Sequence, residues 1–430
     1  MPALRKKILA TSLLSFAFAN HPASAVGVTQ SVEDALNFYH YGNKGAIKLD
    51  LNYRWENVNE DNKRDIVTGL PSANQPQTAN GNTLRLRAGL LSPVFYGIQG
   101  YAEFEGNLAM QEDFNSLRND KKEFSVIADP EKAELNQLWV SYAGIPDTVI
   151  KGGRQRIKLD DDRYIGNVGW RQMEHTFDSV LVTHTSQQLF GLVVNAGYIG
   201  NVQTITSTTE NINAPIVNVN YKVGDYGNII GYGYWLDYTE KENYEKSSAT
   251  YGVRFTNFQK PGDTLKLSDN FGVVYTAEYA YQEDYGHGKA DYAADRFNLM
   301  GGLTAFNVTV QGAMEQLNGY GKDKTFDTPL GTNHAFQGWA DLFLNTPANG
   351  IRDVFGTAHV LLDRGNLVLT GVFHDFSDDT GNIHYGDEWN FQALWKFGKH
   401  YSMLAKYANY NADKFGTDTQ KIWLQGNISF

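Results

Sequence analysis

The chain has 430 residues, with 42 glycines, 11 prolines, no cysteine and a formal charge of −11. It carries 25 Tyr, 24 Phe and 8 Trp, yet its mean hydropathy is −0.42. So much aromatic surface excludes disorder, the missing cysteine excludes a disulfide scaffold or Cys-ligated metal, and the acidic total argues against nucleic-acid binding.

In chain order, Arg5, Lys6 and Lys7 form a basic start, Ile8 to Ala19 is a short apolar run, and Ala23-Ser24-Ala25 is a cleavage site. This layout predicts a signal peptide over 1–25 and therefore export. Residues 26–44 are expected as a short periplasmic segment, with a capped helical turn starting at Ser31. They are too few for a plug domain.

From residue 45 to 430 the recurring pattern is alternation with period two, and nothing is apolar for the length a membrane helix needs. Ile47, Leu49, Leu51, Tyr53 and Trp55 alternate with polar neighbours. So do Leu84, Leu86, Ala88 and Leu90, and then Val149, Ile157 and Leu159 in the fifth strand. Val217–Val223, Tyr251–Phe255, Phe271–Gln282, Trp389–Phe397 and Ile422–Phe430 repeat the pattern. These stretches are long enough to cross a bilayer as tilted strands, and aromatic residues crowd their ends as interfacial girdles.

The fold expected is all-β: a transmembrane antiparallel barrel with short periplasmic turns and long extracellular loops. Short connections near Ser92, Gly144, Ser186, Gly224, Phe258, Ala305, Leu362 and Gly398 alternate with longer ones, including 159–175, 201–214 and 318–351. Together they join eighteen strands, an even number that brings both ends to the periplasm. The apolar stretch Phe336 to Asn345 breaks that parity, so it is placed inside the 318–351 loop. There it is read as a lumen constriction or gate carrying Phe336, Trp339 and Asp341, with Asp341 facing the channel. An extra strand or a subunit contact is the alternative.

If the apolar face meets lipid, Arg54, Arg85, Arg87, Arg154, Arg156, Lys158 and Arg254 point into the lumen. Such a basic ladder concentrates anions and can pass carboxylates from one guanidinium to the next. Glu103, Glu105 and Asp50 share that face and can pair with it. Asp160-Asp161-Asp162 lacks the spacing of a Ca²⁺ loop and is read as solvated acid. His374-Asp375 is the one pair that suggests catalysis, but neighbours in a strand face opposite ways. No enzyme activity, cofactor or metal is expected.

The stretch Leu138 to Gln172, with Gly153-Arg154-Gln155-Arg156 and Gly166-Asn167-Val168-Gly169-Trp170-Arg171-Gln172, resembles the alginate export family of outer-membrane porins. Phe336 to Asp341 and Asn345 to Gly350 form a second similar block. The resemblance implies a monomeric eighteen-stranded barrel in the Gram-negative outer membrane, with an arginine constriction passing anionic polyuronate, and Arg154 and Arg156 as carried-over positions. The strand ending on Phe430 resembles the signal read by the barrel assembly machinery. Lipid, lipopolysaccharide and an acidic saccharide are the partners implied. A general small-anion porin is the alternative function, ahead of a barrel enzyme or a closed structural barrel.

Overall fold

The computed structural model describes residues 45–61, 75–189, 191–288, 292–319 and 324–430. The expected signal peptide and periplasmic segment lie outside these residues. The wall opens with β1 (Ala46–Asp61), β2 (Ala79–Leu91), β3 (Ile98–Asp113), β4 (Lys132–Ile145) and β5 (Thr148–Gln155). It continues through β6 (Thr176–Ser186), β7 (Leu192–Gln203), β8 (Thr209–Lys222), β9 (Asn228–Tyr238) and β10 (Ser248–Thr256). A two-residue strand, β11 (Leu265–Lys266), lies in the next turn, followed by β12 (Phe271–Glu283), β13 (Ala293–Ala305) and β14 (Val308–Leu317). The last five are β15 (Ile351–Leu362), β16 (Leu367–Ser377), β17 (His384–Phe397), β18 (Tyr401–Ala412) and β19 (Asp418–Ser429).

Each wall strand pairs antiparallel with its sequence neighbours, and β1 also pairs with β19, so eighteen strands close into a barrel. At the seam Leu51 stands opposite Ile428 and Trp55 opposite Leu424. Closure removes both sheet edges, as a bilayer demands of any strand that crosses it.

Alternation sorts the faces. In β2, Leu86 and Leu90 are exposed on the outside while Arg85 and Arg87 are buried on the inside. In β17, Trp389, Phe391 and Trp395 face outward and Glu388 and Asn390 are sealed within. All eight short connections lie at one end, as expected. The long connection expected over 201–214 is instead a hairpin turn at 204–208, since β7 and β8 run past the lipid zone. There Asn201 pairs with Asn211 on the outer face while Val202 and Ile212 are buried inside, so the lipid rule of apolar outside and polar inside is reversed. Ser207 takes φ 57° at the tip, and Thr204 and Thr208 bond across it at 2.6 Å.

The fifth strand also departs from expectation. It ends at Gln155, and the chain then leaves the wall for the lumen. Ile157 and Leu159 do not meet lipid; both are buried in the interior core. Gly153 has φ 121°, and a Cβ there would lie 2.3 Å from the Leu138 carbonyl oxygen, so this irregular spot accepts only glycine.

The lipid-facing assignment predicts that Leu86→Arg lowers barrel stability by about 2–4 kcal/mol. Leu117→Arg, in the exposed loop after β3, should leave stability unchanged; urea unfolding in lipid vesicles compares the two.

Candidate functional site: the lumen and its infolded segments

Two connections turn inward rather than covering the mouth. One spans 156–175, between β5 and β6, and the other lies between β14 and β15, described over 318–319 and 324–350. Their Ile157, Tyr164, Ile165, Phe326 and Phe343 are buried against the inward faces of β8, β9, β16 and β18. Tyr164 stacks near Tyr232 at 4.8 Å, and Phe343 lies 4.7 Å from Phe376. The result is an apolar core crossing the lumen where alternation alone predicts water.

Polar contacts fix the second segment to the wall. Glu388 Oε1 on β17 accepts the backbone N–H groups of Trp339 at 2.5 Å and Ala340 at 2.9 Å. The chain reaches that carboxylate because Gly338 sits at φ 82°, where a Cβ would lie 2.3 Å from Glu388. Asp341 joins three groups: His334 at 2.6 Å, Lys421 of β19 at 2.9 Å and Arg171 of the other segment at 3.5 Å. Lys406 of β18 donates to His334 Nε2 at 2.7 Å and lies over the Trp339 ring at 3.8 Å and the Trp170 ring at 4.3 Å. Trp170 stacks on His334 at 4.2 Å.

His334 therefore holds its proton on Nδ1, facing Asp341, and accepts at Nε2. Burial pushes its pKa down to about 3, which keeps the ring neutral in this role. Despite its burial, the Asp341 carboxyl is held well below the usual range by the His334 ring, with Lys421 and Arg171 beside it.

Six of the seven expected cations do face inward, and each has a carboxylate partner. Arg54 bonds the Trp170 carbonyl and Gln425, with Asp129 at 3.5 Å. Arg85 pairs with Asp50, and Arg87 with Glu105 at 2.6 Å and Glu174 at 3.5 Å. Arg156 holds Glu174 at 2.5 Å and Glu103 at 2.7 Å, and Lys158 holds Asp162 at 2.8 Å. Arg254 meets Asp161, with Glu278 at 3.8 Å. The ladder is thus a set of ion pairs rather than a row of free cations.

Arg154 is the exception. It pairs in register with Leu138 and Asp178, on the face where Leu138 and Val180 are exposed, while Gln155 and Phe177 are buried on the inside. It forms a two-pronged ion pair with Asp178 at 2.8 and 2.9 Å on the outer wall. Its place outside the lumen follows from the face parity of β5, opposite to that read from the run continuing to Leu159.

Asp341 does not face the channel either, since its three partners bury it. Phe336 lies under the Arg163 guanidinium at 4.6 Å, within the packed segment. Asp161 bonds Arg254 and Asp162 bonds Lys158, whereas Asp160 accepts from Asn218 at 2.7 Å and stays exposed, so the acidic triplet is ion-paired at two positions and solvated at the first. Among the described residues no cluster is arranged to hold a metal. His374 is buried on Asp353 at 3.0 Å while Asp375 lies outside, so that pair is divided as expected.

Sequence reading missed Arg163, Arg171, Glu174, Arg296, Glu388 and Lys406. Glu388, Arg296 and Lys406 carried a usable signal, since each faces away from the lipid-facing residue beside it in its strand. Nothing local marked the others, whose partners are distant in the chain.

Below the core, near the short-turn end, a cavity of about 540 Å³ remains. Lys48 and Asp50 of β1, Arg87 of β2, Glu103 of β3 and the terminal Phe430 line its wall. Arg156, Lys158 and Trp170 reach it from the first segment and Thr332 from the second.

The neutral, buried His334 makes the anchorage pH-dependent. A solvent-exposed imidazole binds its proton near 6.5 and the buried one only near 3, so the hold weakens as pH falls below 6.5. Protection of 333–343 in hydrogen exchange, corrected for intrinsic rates, should fall between neutral pH and about pH 4.5. His334→Gln should remove most of that dependence.

Comparison with known proteins agrees with this architecture. A family model described as "Alginate export" matches residues 72–311, a span containing the Leu138–Gln172 block but not the second one. OccK9 (OpdG) of Pseudomonas aeruginosa superposes with a TM-score of 0.68 at 11% identity, covering 90% of this chain and 99% of that one. OccAB4 of Acinetobacter baumannii gives 0.65 at 14% identity, over 91% of this chain and 99% of that one. A BenF-like porin of Pseudomonas fluorescens Pf-5 gives 0.66 at 11% identity, over 90% and 99%. No curated protein matches the sequence. A family match over more than half its length and a closed barrel together place this chain in the alginate export family, as a non-enzymatic porin of the outer membrane.

Proposed function

We propose that the barrel passes anionic solutes, above all acidic saccharides of the uronate type. One observation carries this reading: the most exposed charges around the cavity are cations. The Lys158 side chain is 57% exposed and that of Arg156 30%, and Lys48 is also open to solvent. The carboxylates that balance them are more withdrawn: Glu174 is 0% exposed, Glu103 6% and Asp162 16%. Asp50, at 29%, is the most open acid there.

A solute entering the cavity therefore meets the Lys48 and Lys158 ammonium groups and the Arg156 fork before it meets Glu103 or Glu174, with Asp50 as open as Arg156 and Arg87 set back at 10%. A buried carboxylate behind an arginine fixes its fork without fully cancelling the field in front of it. The entering acid can share such a cation briefly and leave, because the resident partner competes for it; weak, multiple sites of this kind favour flux. The acidic total of the chain does not oppose this, since much of it lies on the outer rim, as at Asp375 and Asp413, or behind arginines.

Lys48→Glu combined with Lys158→Glu should turn an anion preference into a cation preference in planar bilayers. Both side chains are exposed, so the barrel tolerates the change. An unaltered anion/cation permeability ratio would overturn the reading.

A further inference from the structure

The cavity and the core above it set a limit on the size of the solute and a side from which it binds. We propose that the cavity is a subsite for one or two acidic sugar units, entered from the periplasm, and that a polyuronate chain does not thread the barrel in this conformation. The charge of the ligand rests on the function proposed above; its size and sidedness rest on the packing.

The size limit comes from the apolar bridge. Ile157, Ile165, Phe326 and Phe343 are all nearly inaccessible and join the wall residues Ile216, Ile230 and Phe376 in one cluster. A hydrated polyanion would have to give up its water over several units at once to pass such a region without compensating partners, at a cost of several kcal/mol for each buried polar group, whereas an acid of one or two units presents few such groups at a time. The bridge also resists being pushed aside, since Glu388, Lys406 and Lys421 tie its second segment to three successive strands. The cavity beneath it is about 540 Å³, within the roughly 300–1,000 Å³ typical of a pocket for one small ligand.

Sidedness follows from the chain ends. Lys48 stands two residues into β1, and Phe430, the last residue, exchanges both backbone hydrogen bonds with Leu49. The cavity thus lies against the short-turn end of the seam, while Trp170 and Thr332 roof it from the loop side.

The lining chemistry suits a sugar acid better than a simple anion. Arg156 and Lys158 can hold a carboxylate. Asp50 and Asp162, both with solvent access, can accept hydroxyl protons, a capacity a halide or acetate would leave unused.

The test uses the native barrel in planar bilayers and in liposomes. Galacturonate and digalacturonate, added from the short-turn side, should interrupt current saturably and at lower concentration than from the loop side; glucose should not. Both uronates should leave loaded liposomes, and long polygalacturonate should stay inside. Lys158→Gln should raise the half-blocking uronate concentration severalfold. Efflux of the polymer, or block that never saturates or is equal from both sides, overturns the subsite while leaving an anion preference standing. A reversal potential in KCl showing no anion preference refutes the anion reading instead, whatever the sugars do.

Discussion

A charged side chain sealed from water must find an opposite charge, and in this barrel the wall cannot supply all of them. Arg171 shows the consequence: from the first infolded segment it reaches Glu56 of β1 at 3.0 Å and both Asp129 and Asp341 at 3.5 Å. Arg163 of the same segment reaches Glu315 of β14 at 3.3 Å, where Arg296 of β13 also lies at 2.7 Å. Removing one partner from such a group leaves an uncompensated buried charge, at a cost of about 3–5 kcal/mol. The segments are therefore held in place by what the wall would lose without them, and the lumen takes its shape from that requirement.

The same requirement changes what the arginines mean. Facing inward does not make a cation available, because most meet a carboxylate from a neighbouring strand or an infolded segment. What distinguishes the cavity is that its most exposed charges are cations whose partner carboxylates are more buried. Arg156 and Lys158 stand forward, and Glu174 lies behind with Asn136 and Asn167 also donating to it at 2.6 Å each. Selectivity in such a lumen depends on exposure more than on net charge.

Much of the wall was legible because lipid imposes a simple rule on every second residue. Leu86 beside Arg85, or Trp389 beside Glu388, can be sorted with no knowledge of the partner strand. The rule fails where burial has another cause. Ile157 and Leu159 keep the period of β5 after the chain has left the wall, because a packed lumen core selects the same side chains as lipid does. Extending the strand through them reversed the parity of Arg154 and placed it inside. Asp341 was recognised as part of an inward segment, but its partners His334, Lys421 and Arg171 lie 7, 80 and 170 residues away in sequence. Register, which the local pattern does not contain, decides whether a lumen charge is free or paired.

Glu388, Lys406 and Lys421 make the 324–350 segment a fixed obstruction held by the wall. Single-channel conductance of the barrel lacking residues 335–345 tests this most directly, since that deletion removes Trp339, Asp341 and Phe343 while leaving every wall strand. Loss of a fixed obstruction should give a clear rise in conductance and weaker discrimination between solutes of different size. A conductance equal to that of the intact chain, in a barrel shown to be folded, would contradict it.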